Sequence, residues 1–212
     1  MASDAPDLGD ILRRAPVIPV LSIPSVEAAV PLARALVEGG LSVLEITFRT
    51  PAGPEALARI AQAVPEAVVG AGTVRRHEQY DAAERAGARF VVSPGVTPGL
   101  LARARDSAVP WLPAAATTSE VMVLLDAGFE YLKFFPAEAL GGAPTVKAFA
   151  GPLPEAQFCP TGGIDTGTAP AYLALPNVVC IGGSWIAPAD AVTAGDWPRI
   201  TALARAATGL RG

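Results

Sequence analysis

Residues 43–74 read "VLEITFRTPAGPEALARIAQAVPEAVVGAGTV", and this stretch decides the fold. It begins with a short run rich in β-branched residues (43–49), continues with a run of helical period (54–64) and ends with a second β-type run (68–74). Short connections join the three runs. A strand, a helix and another strand in this arrangement are typical of two parallel strands linked by a crossover helix. The stretch therefore predicts one unit of an α/β fold.

The same alternation continues along the chain. Further strands are predicted to begin at Val17, Phe90, Trp111, Tyr131, Gln157 and Val178. Helices are predicted over Ser25–Glu38, Arg76–Ala86, Pro98–Asp106 and Ser119–Ala127, with a short N-terminal helix near 7–14. Ser25 is predicted as an N-cap and Gly39, Gly87 and Gly128 as helix ends. Eight strand–helix units in roughly 190 residues predict a single α/β domain over 1–212, a (β/α)₈ TIM barrel. An open doubly wound sheet is the alternative.

Composition favours a globular protein of the cytoplasm. Hydrophobic residues make up 51% of the chain and charged residues 17%, so a large core is expected. The net charge of −4 and the lack of a long basic cluster argue against nucleic acid or an anionic membrane as a partner. Residues 1–10 lack the apolar core of a secretory signal, and prolines interrupt the uncharged stretch 166–188. Cys159 and Cys180 lie in apolar runs, which predicts buried thiols rather than a disulfide.

Side-chain parity sorts the second predicted strand into two faces, because successive side chains of a strand point to opposite sides. The apolar face, which is expected to meet the helices, carries Leu44, Ile46 and Phe48. The other face should point into the barrel and carries Glu45, Thr47 and Arg49. Charged groups inside a barrel are costly to desolvate unless they are paired or used. A structural salt bridge between Glu45 and Arg49 is the simplest alternative to a functional role.

The predicted strand from Tyr131 carries a second unusual side chain, Lys133. Of sixteen cationic residues only Lys133 and Lys147 are lysines. Parity turns Lys133 inward with Tyr131 and Phe135, although a lysine that extends from the strand end into solvent is the alternative. Active sites of barrels lie at the C-terminal ends of the strands. One mouth should therefore collect Glu45, Arg49, Thr73, Lys133, Thr161 and Ser184.

That constellation suggests the chemistry of a Schiff base. A lysine among apolar rings and next to another cation is expected to be neutral often enough to attack a ketone. The protonated imine then accepts electrons while a carbon–carbon bond breaks, and Glu45 is the inward carboxylate that can move the protons. Arg49 and Thr73 could hold a substrate carboxylate. Glycine turns at 161–163 and 182–184 could cradle a phosphate through backbone N–H groups, unless they are tight turns only.

Six motifs together resemble one known family: "VLEITFRT", "EAVVGAGTV", "FVVSPG", "KFFPAE", "FCPTGGI" and "CIGGSW". From residue 17 to residue 205 the chain is similar to the class I 2-keto-3-deoxy-6-phosphogluconate (KDPG) aldolases, which also act on 4-hydroxy-2-oxoglutarate (KHG). The resemblance implies a homotrimer of (β/α)₈ subunits without metal or cofactor. It implies cleavage of KDPG to pyruvate and glyceraldehyde 3-phosphate, and of KHG to pyruvate and glyoxylate.

The resemblance also implies a role for individual residues. Lys133 is the expected imine lysine and Glu45 the acid–base residue. Arg49 and Thr73 are implied as contacts of the pyruvate carboxylate, and Pro94 and Phe135 as walls around the pyruvyl group. The hydroxyl and phosphate end of the substrate is assigned to Thr161, Gly162, Gly163 and Ser184. The family commonly reads "PGISTVSE" after the fifth strand, whereas this chain reads "PAAATTSE" at 113–120. Contacts implied for that loop are therefore open.

Three other functions remain as alternatives at this point. The first is an aldolase for the galactonate epimer of the substrate, 2-dehydro-3-deoxy-6-phosphogalactonate. The second is a phosphosugar isomerase or epimerase that uses the phosphate cradle without an imine. The third is a non-catalytic phosphosugar-binding barrel. For single residues, Thr73 could cap the following helix, and His77, the only histidine, is predicted to lie on a solvated helix face.

Overall fold

The computed structural model describes residues 7–210, and every structural statement below refers to that range. Parts of two predictions, the domain over 1–212 and the lack of a secretory signal in 1–10, fall on residues outside it. The strands are β1 (Val17–Leu21), β2 (Val43–Thr47), β3 (Val68–Gly72), β4 (Phe90–Val92), β5 (Trp111–Leu112), β6 (Ala114–Ala115), β7 (Tyr131–Phe134), β8 (Gln157–Pro160) and β9 (Ile181–Gly183).

Helices alternate with these strands. They are α1 (Leu8–Leu12), α2 (Val26–Glu38), α3 (Gly53–Ala63), α4 (His77–Arg85), α5 (Pro98–Arg105), α6 (Thr118–Asp126), α7 (Gly142–Phe149), α8 (Ala169–Leu173), α9 (Ala189–Ala194) and α10 (Trp197–Thr208). A 3₁₀ helix spans Glu138–Leu140 between β7 and α7. Within 7–210 no helix is long and apolar enough to cross a membrane. The predicted α/β class and the short N-terminal helix are confirmed.

All paired strands run parallel and form two sheets. The larger sheet has the order β5-β4-β3-β2-β1-β9, and the smaller sheet has the order β6-β7-β8. Single bridges between Phe158 and Val178 and between Thr161 and Gly182 connect the smaller sheet to the segment of β9. The order follows the chain from β1 to β5 without reversing. An open doubly wound sheet requires such a reversal, so the strand order does not support that alternative.

The predicted fifth strand is interrupted, and this is why two sheets appear. Pro113 separates β5 from β6 and has no backbone N–H to donate to a ladder. Its carbonyl still accepts a hydrogen bond of 2.7 Å from the N–H of Lys133. The lysine strand, predicted as the sixth, is therefore β7, and the two glycine-ended strands are β8 and β9.

The core lies in two layers. Most buried apolar side chains fill the space between strands and helices, as Leu44 and Ile46 do on the predicted helix-facing side of β2. A second cluster lies on the other face of the strands, away from most of the helices, and includes Phe90, Cys159 and Cys180. Ile11 and Leu12 of α1 belong to the same cluster. Burying one such large side chain contributes about 1.5–3 kcal/mol. Both cysteines are buried, as predicted.

The helix ends agree with the prediction except at one glycine. Gly87 and Gly128 have φ values of +87° and +88°, which is the left-handed conformation expected after a helix. At the end of α2 the left-handed residue is Gly40, with a φ of +94°, whereas Gly39 is right-handed with a φ of −74°. Gly39 is thus the C-cap of α2 and not, as was predicted, the residue that follows it. Its role is close packing, because an added Cβ would lie 2.8 Å from the carbonyl oxygen of Thr201. Ser25 occupies the N-cap position of α2 without a side-chain capping bond.

Candidate active site

A buried ion pair lies at the centre of the candidate site. Lys133 of β7 and Glu45 of β2 are each 4% exposed, so the lysine does not extend into solvent. The Lys133 Nζ atom donates to the two carboxylate oxygens of Glu45 at 3.1 and 3.2 Å. The same Nζ atom lies 5.6 Å from the centroid of the Phe135 ring. An amine, a carboxylate and an aromatic face therefore meet in a nearly dry environment.

A glycine in the neighbouring strand makes room for the carboxylate. Glu45 of β2 pairs in register with Val20 of β1 and with Gly70 of β3. A Cβ added to Gly72 would lie 2.6 Å from Cγ of Glu45, a distance that real Cβ atoms do not adopt. The second glycine of the "GAG" sequence of β3 is thus required by the volume of Glu45, whereas the first, Gly70, makes room for the ring of Phe90.

Arg49 and Thr73 line the open side of this pair. The Arg49 side chain is exposed, and its Nε atom donates to Thr73 Oγ1 at 3.1 Å. The alternative of a salt bridge between Glu45 and Arg49 is not what the structure shows, since Glu45 pairs with Lys133. Thr73 does not cap the next helix, because the N-cap position of α4 is Arg76. A cavity of about 280 Å³ is lined by Arg49, Thr73, Pro94, Lys133 and Phe135.

The backbone of Thr73 adopts an uncommon conformation. Its φ value is +59°, in the left-handed region that favours glycine, and no other described non-glycine residue in 7–210 has a positive φ. Strain of this kind persists only where the surroundings enforce it, and it is concentrated at functional sites. The conformation ends β3 abruptly and presents the Thr73 hydroxyl to Arg49.

A second cavity adjoins the first. Its volume is about 480 Å³, and it shares Arg49 and Phe135 with the smaller cavity. The predicted residues of the hydroxyl and phosphate end all line it, namely Thr161, Gly162, Gly163 and Ser184. All ten predicted site residues thus either form the buried pair or line one of the two joined cavities. The arrangement has room for a small keto acid next to the amine and a longer polar chain beside it.

The turn after β8 lines this larger cavity with two glycines. Gly162 and Gly163 have φ values of +105° and +79°, which side chains rarely adopt. The carbonyl oxygens of Thr161 and Gly162 accept from the N–H groups of Ala137 and Glu138 at 2.8 and 3.0 Å. These two carbonyl groups are therefore held by the segment after β7, while both glycines line the cavity.

Ser22 also lines the larger cavity, and it was not among the predicted site residues. Its hydroxyl oxygen lies 3.1 Å from Oγ1 of the buried Thr47. Thr47 donates its own hydroxyl hydrogen to the carbonyl of Leu21 at 2.9 Å. Ser22 must therefore be the donor to Thr47, which leaves its lone pairs for the cavity. The available signal was its parity with Val20 at the C-terminal end of β1.

Other polar groups do not join this site. His77 is exposed at the start of α4, in agreement with the predicted solvated position, and its Nε2 atom lies 3.3 Å from Oε1 of Glu78. In the described part of the chain, no group of three or more His, Cys, Asp or Glu side chains is placed to hold a metal ion. The chemistry available to the site is thus that of an amine, a carboxylate, a guanidinium, hydroxyl groups and backbone donors.

A parallel α/β fold with a buried lysine–carboxylate pair beside an arginine-lined pocket defines a lyase that works through a Schiff base, a class I aldolase. The model of the KDPG and KHG aldolase family matches residues 8–203. The chain belongs to this family. It is 51% identical over 197 residues to the KHG/KDPG aldolase of Escherichia coli (strain K12), covering 93% of this chain and 92% of that protein.

Solved structures lead to the same family. KDPG aldolase from Legionella pneumophila, with pyruvate captured at low pH as a covalent carbinolamine intermediate, matches with a TM-score of 0.94 and 45% identity over 96% of this chain and 99% of that one. KDPG aldolase of Zymomonas mobilis ZM4 with 3-phosphoglycerate matches with a TM-score of 0.91 and 46% identity over 97% and 96% of the two chains. A native KDPGal structure is less similar, with 26% identity and a TM-score of 0.82 over 92% and 93%.

Proposed function

We propose that the protein cleaves KDPG to pyruvate and glyceraldehyde 3-phosphate through a Schiff base on Lys133, and that it cleaves KHG to pyruvate and glyoxylate. One observation carries the proposal: the buried amine of Lys133 lies 3.1 Å from Glu45 and opens onto the arginine-lined cavity. The relatives named for KDPG and KHG, and the carbinolamine captured in the Legionella enzyme, support the same reaction.

The ion pair provides both groups that the reaction needs. After Glu45 takes the proton of Lys133, the neutral amine attacks the C2 ketone to give a carbinolamine. Glu45 then passes that proton to the departing hydroxyl, so that water leaves, the protonated imine forms and Glu45 is a carboxylate again. Glu45 then removes the proton of the C4 hydroxyl. The C3–C4 bond breaks, the aldehyde leaves, and the bonding electrons move into the imine to form an enamine. Glu45 delivers the proton it took from the hydroxyl to C3, and hydrolysis of the resulting imine releases pyruvate and restores Lys133.

We assign the other residues to the two ends of the substrate. Arg49, held by Thr73, binds the carboxylate next to the ketone, and Pro94 and Phe135 enclose the pyruvyl group. Thr161 and Ser184 face the hydroxyl groups, while the backbone of Gly162 and Gly163 receives the phosphate. Because Phe135 lines both cavities, we assign the bond to be broken to the space beside its ring.

We further propose that the chain is one domain, a closed (β/α)₈ barrel. The sequential strand order, the pairing of β9 with β1 and the two single bridges beside β8 support closure. We also propose a cytoplasmic homotrimer. Phosphorylated sugar acids are retained inside cells, and Met122 and Val123 of α6 expose 55% and 52% of their surface, which offers apolar area for subunit contact. Light scattering coupled to size-exclusion chromatography measures the subunit number directly.

Borohydride trapping tests the Schiff base. Reduction in the presence of pyruvate should give one adduct, which peptide mapping assigns to Lys133. Lys133→Arg should abolish both the adduct and pyruvate release in a coupled lactate dehydrogenase assay, because a guanidinium forms no imine. Lys147→Arg, at an exposed lysine of α7, is the matched control and should retain both. A folded wild-type protein without an adduct would refute the proposal.

The same assay separates the alternatives. An isomerase or epimerase would keep its activity in Lys133→Arg, because it needs only a positive charge, and a binding protein would release no pyruvate. Comparison of KDPG, its galactonate epimer and KHG gives the substrate preference. We expect KDPG to be cleaved faster than the epimer, in line with the lower identity to the KDPGal structure.

A further inference from the structure

Glu138, which begins the 3₁₀ helix after β7, lies directly against the glycine turn. Its N–H group donates to the carbonyl of Gly162 at 3.0 Å. A Cβ added to Gly163 would lie 2.8 Å from Cβ and 3.0 Å from Cγ of Glu138. The side chain of Glu138 therefore covers the Cα atom of Gly163, and one residue contacts both glycines of the turn. Neither cavity of the candidate site is lined by Glu138.

A buried tyrosine holds this exposed side chain in place. Tyr172 of α8 is 1% exposed, and its hydroxyl donates to Oε1 of Glu138 at 2.5 Å. Burial raises the pKa of Tyr172, and the hydrogen bond to Glu138 and the charge of that carboxylate raise it further. The phenol therefore remains protonated and a donor. The hydrogen bond connects the 3₁₀ helix to α8 across the turn that separates β8 from α8.

The far end of the same turn is fixed separately. One carboxylate oxygen of Asp165 accepts from the N–H groups of Gly167 and Thr168 at 2.8 and 3.0 Å. Without the contact to Glu138, the two glycines would be the least restricted part of the segment, because glycine has more backbone freedom than any other residue. Glu138 thus restrains the part of the turn that Asp165 does not reach.

We propose that Glu138 and Tyr172 are positioning residues that hold the Gly162–Gly163 turn in the shape that receives the phosphate end of the substrate. The inference rests on the proposed function. In the described chain, the N–H groups of these two glycines have no hydrogen-bond acceptor, so they are available to phosphate oxygens. A turn that is already ordered loses less conformational entropy when the anion binds. The pair acts through the turn and touches no reacting atom.

Two substrates distinguish this role from a general structural one. KDPG carries a phosphate, whereas KHG shares the keto acid end and carries none. In Glu138→Ala and Tyr172→Phe, the KM for KDPG should rise about five- to tenfold, the effect of one lost hydrogen bond of above-average strength, with kcat nearly unchanged. The KM and kcat for KHG should stay at wild-type values. Glu138→Gln should behave as wild type, because its amide oxygen can accept from Tyr172.

The controls separate this proposal from the proposed function. Glu155→Ala removes an exposed carboxylate before β8 and should change nothing. If the wild type forms no adduct and does not cleave KDPG, the proposed function fails. If the wild type is active, the positioning role is overturned by an unchanged KM for KDPG in Glu138→Ala, by equal losses on both substrates, or by a Glu138→Gln variant as weak as Glu138→Ala. Because Glu138 is exposed, its variants are expected to fold even if Tyr172→Phe does not.

Discussion

Lys133 and Glu45 are 88 positions apart in the sequence, yet the Nζ atom of Lys133 lies 3.1 and 3.2 Å from the two carboxylate oxygens of Glu45. Each group neutralises a charge that would otherwise be buried alone. The same contact lets a proton move between the amine and the carboxylate. Stability and the proposed catalysis therefore depend on the same pair of side chains, and variants must be designed to separate the two effects.

Glu45→Gln tests the proton transfer. The amide has the shape of the carboxylate but cannot take up a proton from the amine or the substrate hydroxyl. We expect kcat for KDPG to fall by about 10²- to 10⁴-fold, the usual contribution of a general acid–base group. Steady-state pyruvate release measures this, and Glu66→Gln, an exposed acid, is the control. A variant that retains most of the wild-type rate would exclude Glu45 as the acid–base residue.

A double-mutant cycle tests the stabilising part of the pair. Lys133→Met leaves the Glu45 carboxylate buried without its partner, and we expect the free energy of unfolding to fall by about 3–5 kcal/mol. Adding Glu45→Gln to Lys133→Met should restore part of this loss, because a buried amide is less costly than an unpaired charge. Urea unfolding of the wild type, both single variants and the double variant gives the coupling energy. Strictly additive losses would mean that the pair is not coupled.

Much of this site follows from the sequence because strand parity is a local property. Parity alone turned Glu45 and Lys133 to the inside, and the glycine-ended strands indicated where a phosphate could bind. Contacts between distant segments are not local. The sequence predicted that Glu45 and Lys133 meet at one mouth but left a Glu45–Arg49 pair as the alternative, and pairing in space decided for Lys133. The contacts of Ser22 with Thr47 and of Tyr172 with Glu138 were missed. Pro113 was visible in the sequence, but the division of the strand that it causes was not predicted.

Thr73 offers a test of backbone strain at the site. Both Thr73→Ala and Thr73→Gly remove the hydroxyl that accepts from Arg49, so both should raise the KM for KDPG and KHG. They differ in the backbone, because only glycine adopts a φ near +59° without strain. We expect Thr73→Gly to be more stable than Thr73→Ala by about 1 kcal/mol. Thermal unfolding compares them, and an alanine variant that is the more stable of the two would contradict the strained conformation.

An ion pair between α4 and α5 predicts a dependence of stability on pH. The hydrogen bond from Arg103 Nε, at 2.7 Å, lowers the pKa of Asp81 below its usual 3.8, and burial opposes this shift. The unfolded chain therefore binds the proton first as the pH falls. The stabilisation by Asp81 is complete above pH 3.8 and is lost as the pH falls through the lowered value.

We therefore expect Asp81→Asn to be less stable than the wild type near neutral pH and to approach it in acid, as the pH falls below 3.8. Urea unfolding at several pH values measures the difference. Asp126→Asn, at an exposed position of α6, is the control for a carboxylate on another helix. If the difference in unfolding free energy between Asp81→Asn and the wild type stays constant from neutral pH to acid, the Asp81 carboxylate is not the source of the pH dependence.

Ser22 provides a test at the larger cavity, because its contacts show that its hydroxyl hydrogen is donated to Thr47. Since Thr47 donates to the carbonyl of Leu21, Ser22 donates to Thr47 and offers only acceptor lone pairs to the larger cavity. A substrate hydroxyl that donates to Ser22 would be lost in Ser22→Ala, and we expect kcat/KM for KDPG to fall by about two- to twelvefold. The smaller cavity beside Lys133 is not lined by Ser22. The rate of borohydride trapping with pyruvate should therefore be unchanged, and a fall in that rate would show that Ser22 acts on the lysine end of the site instead.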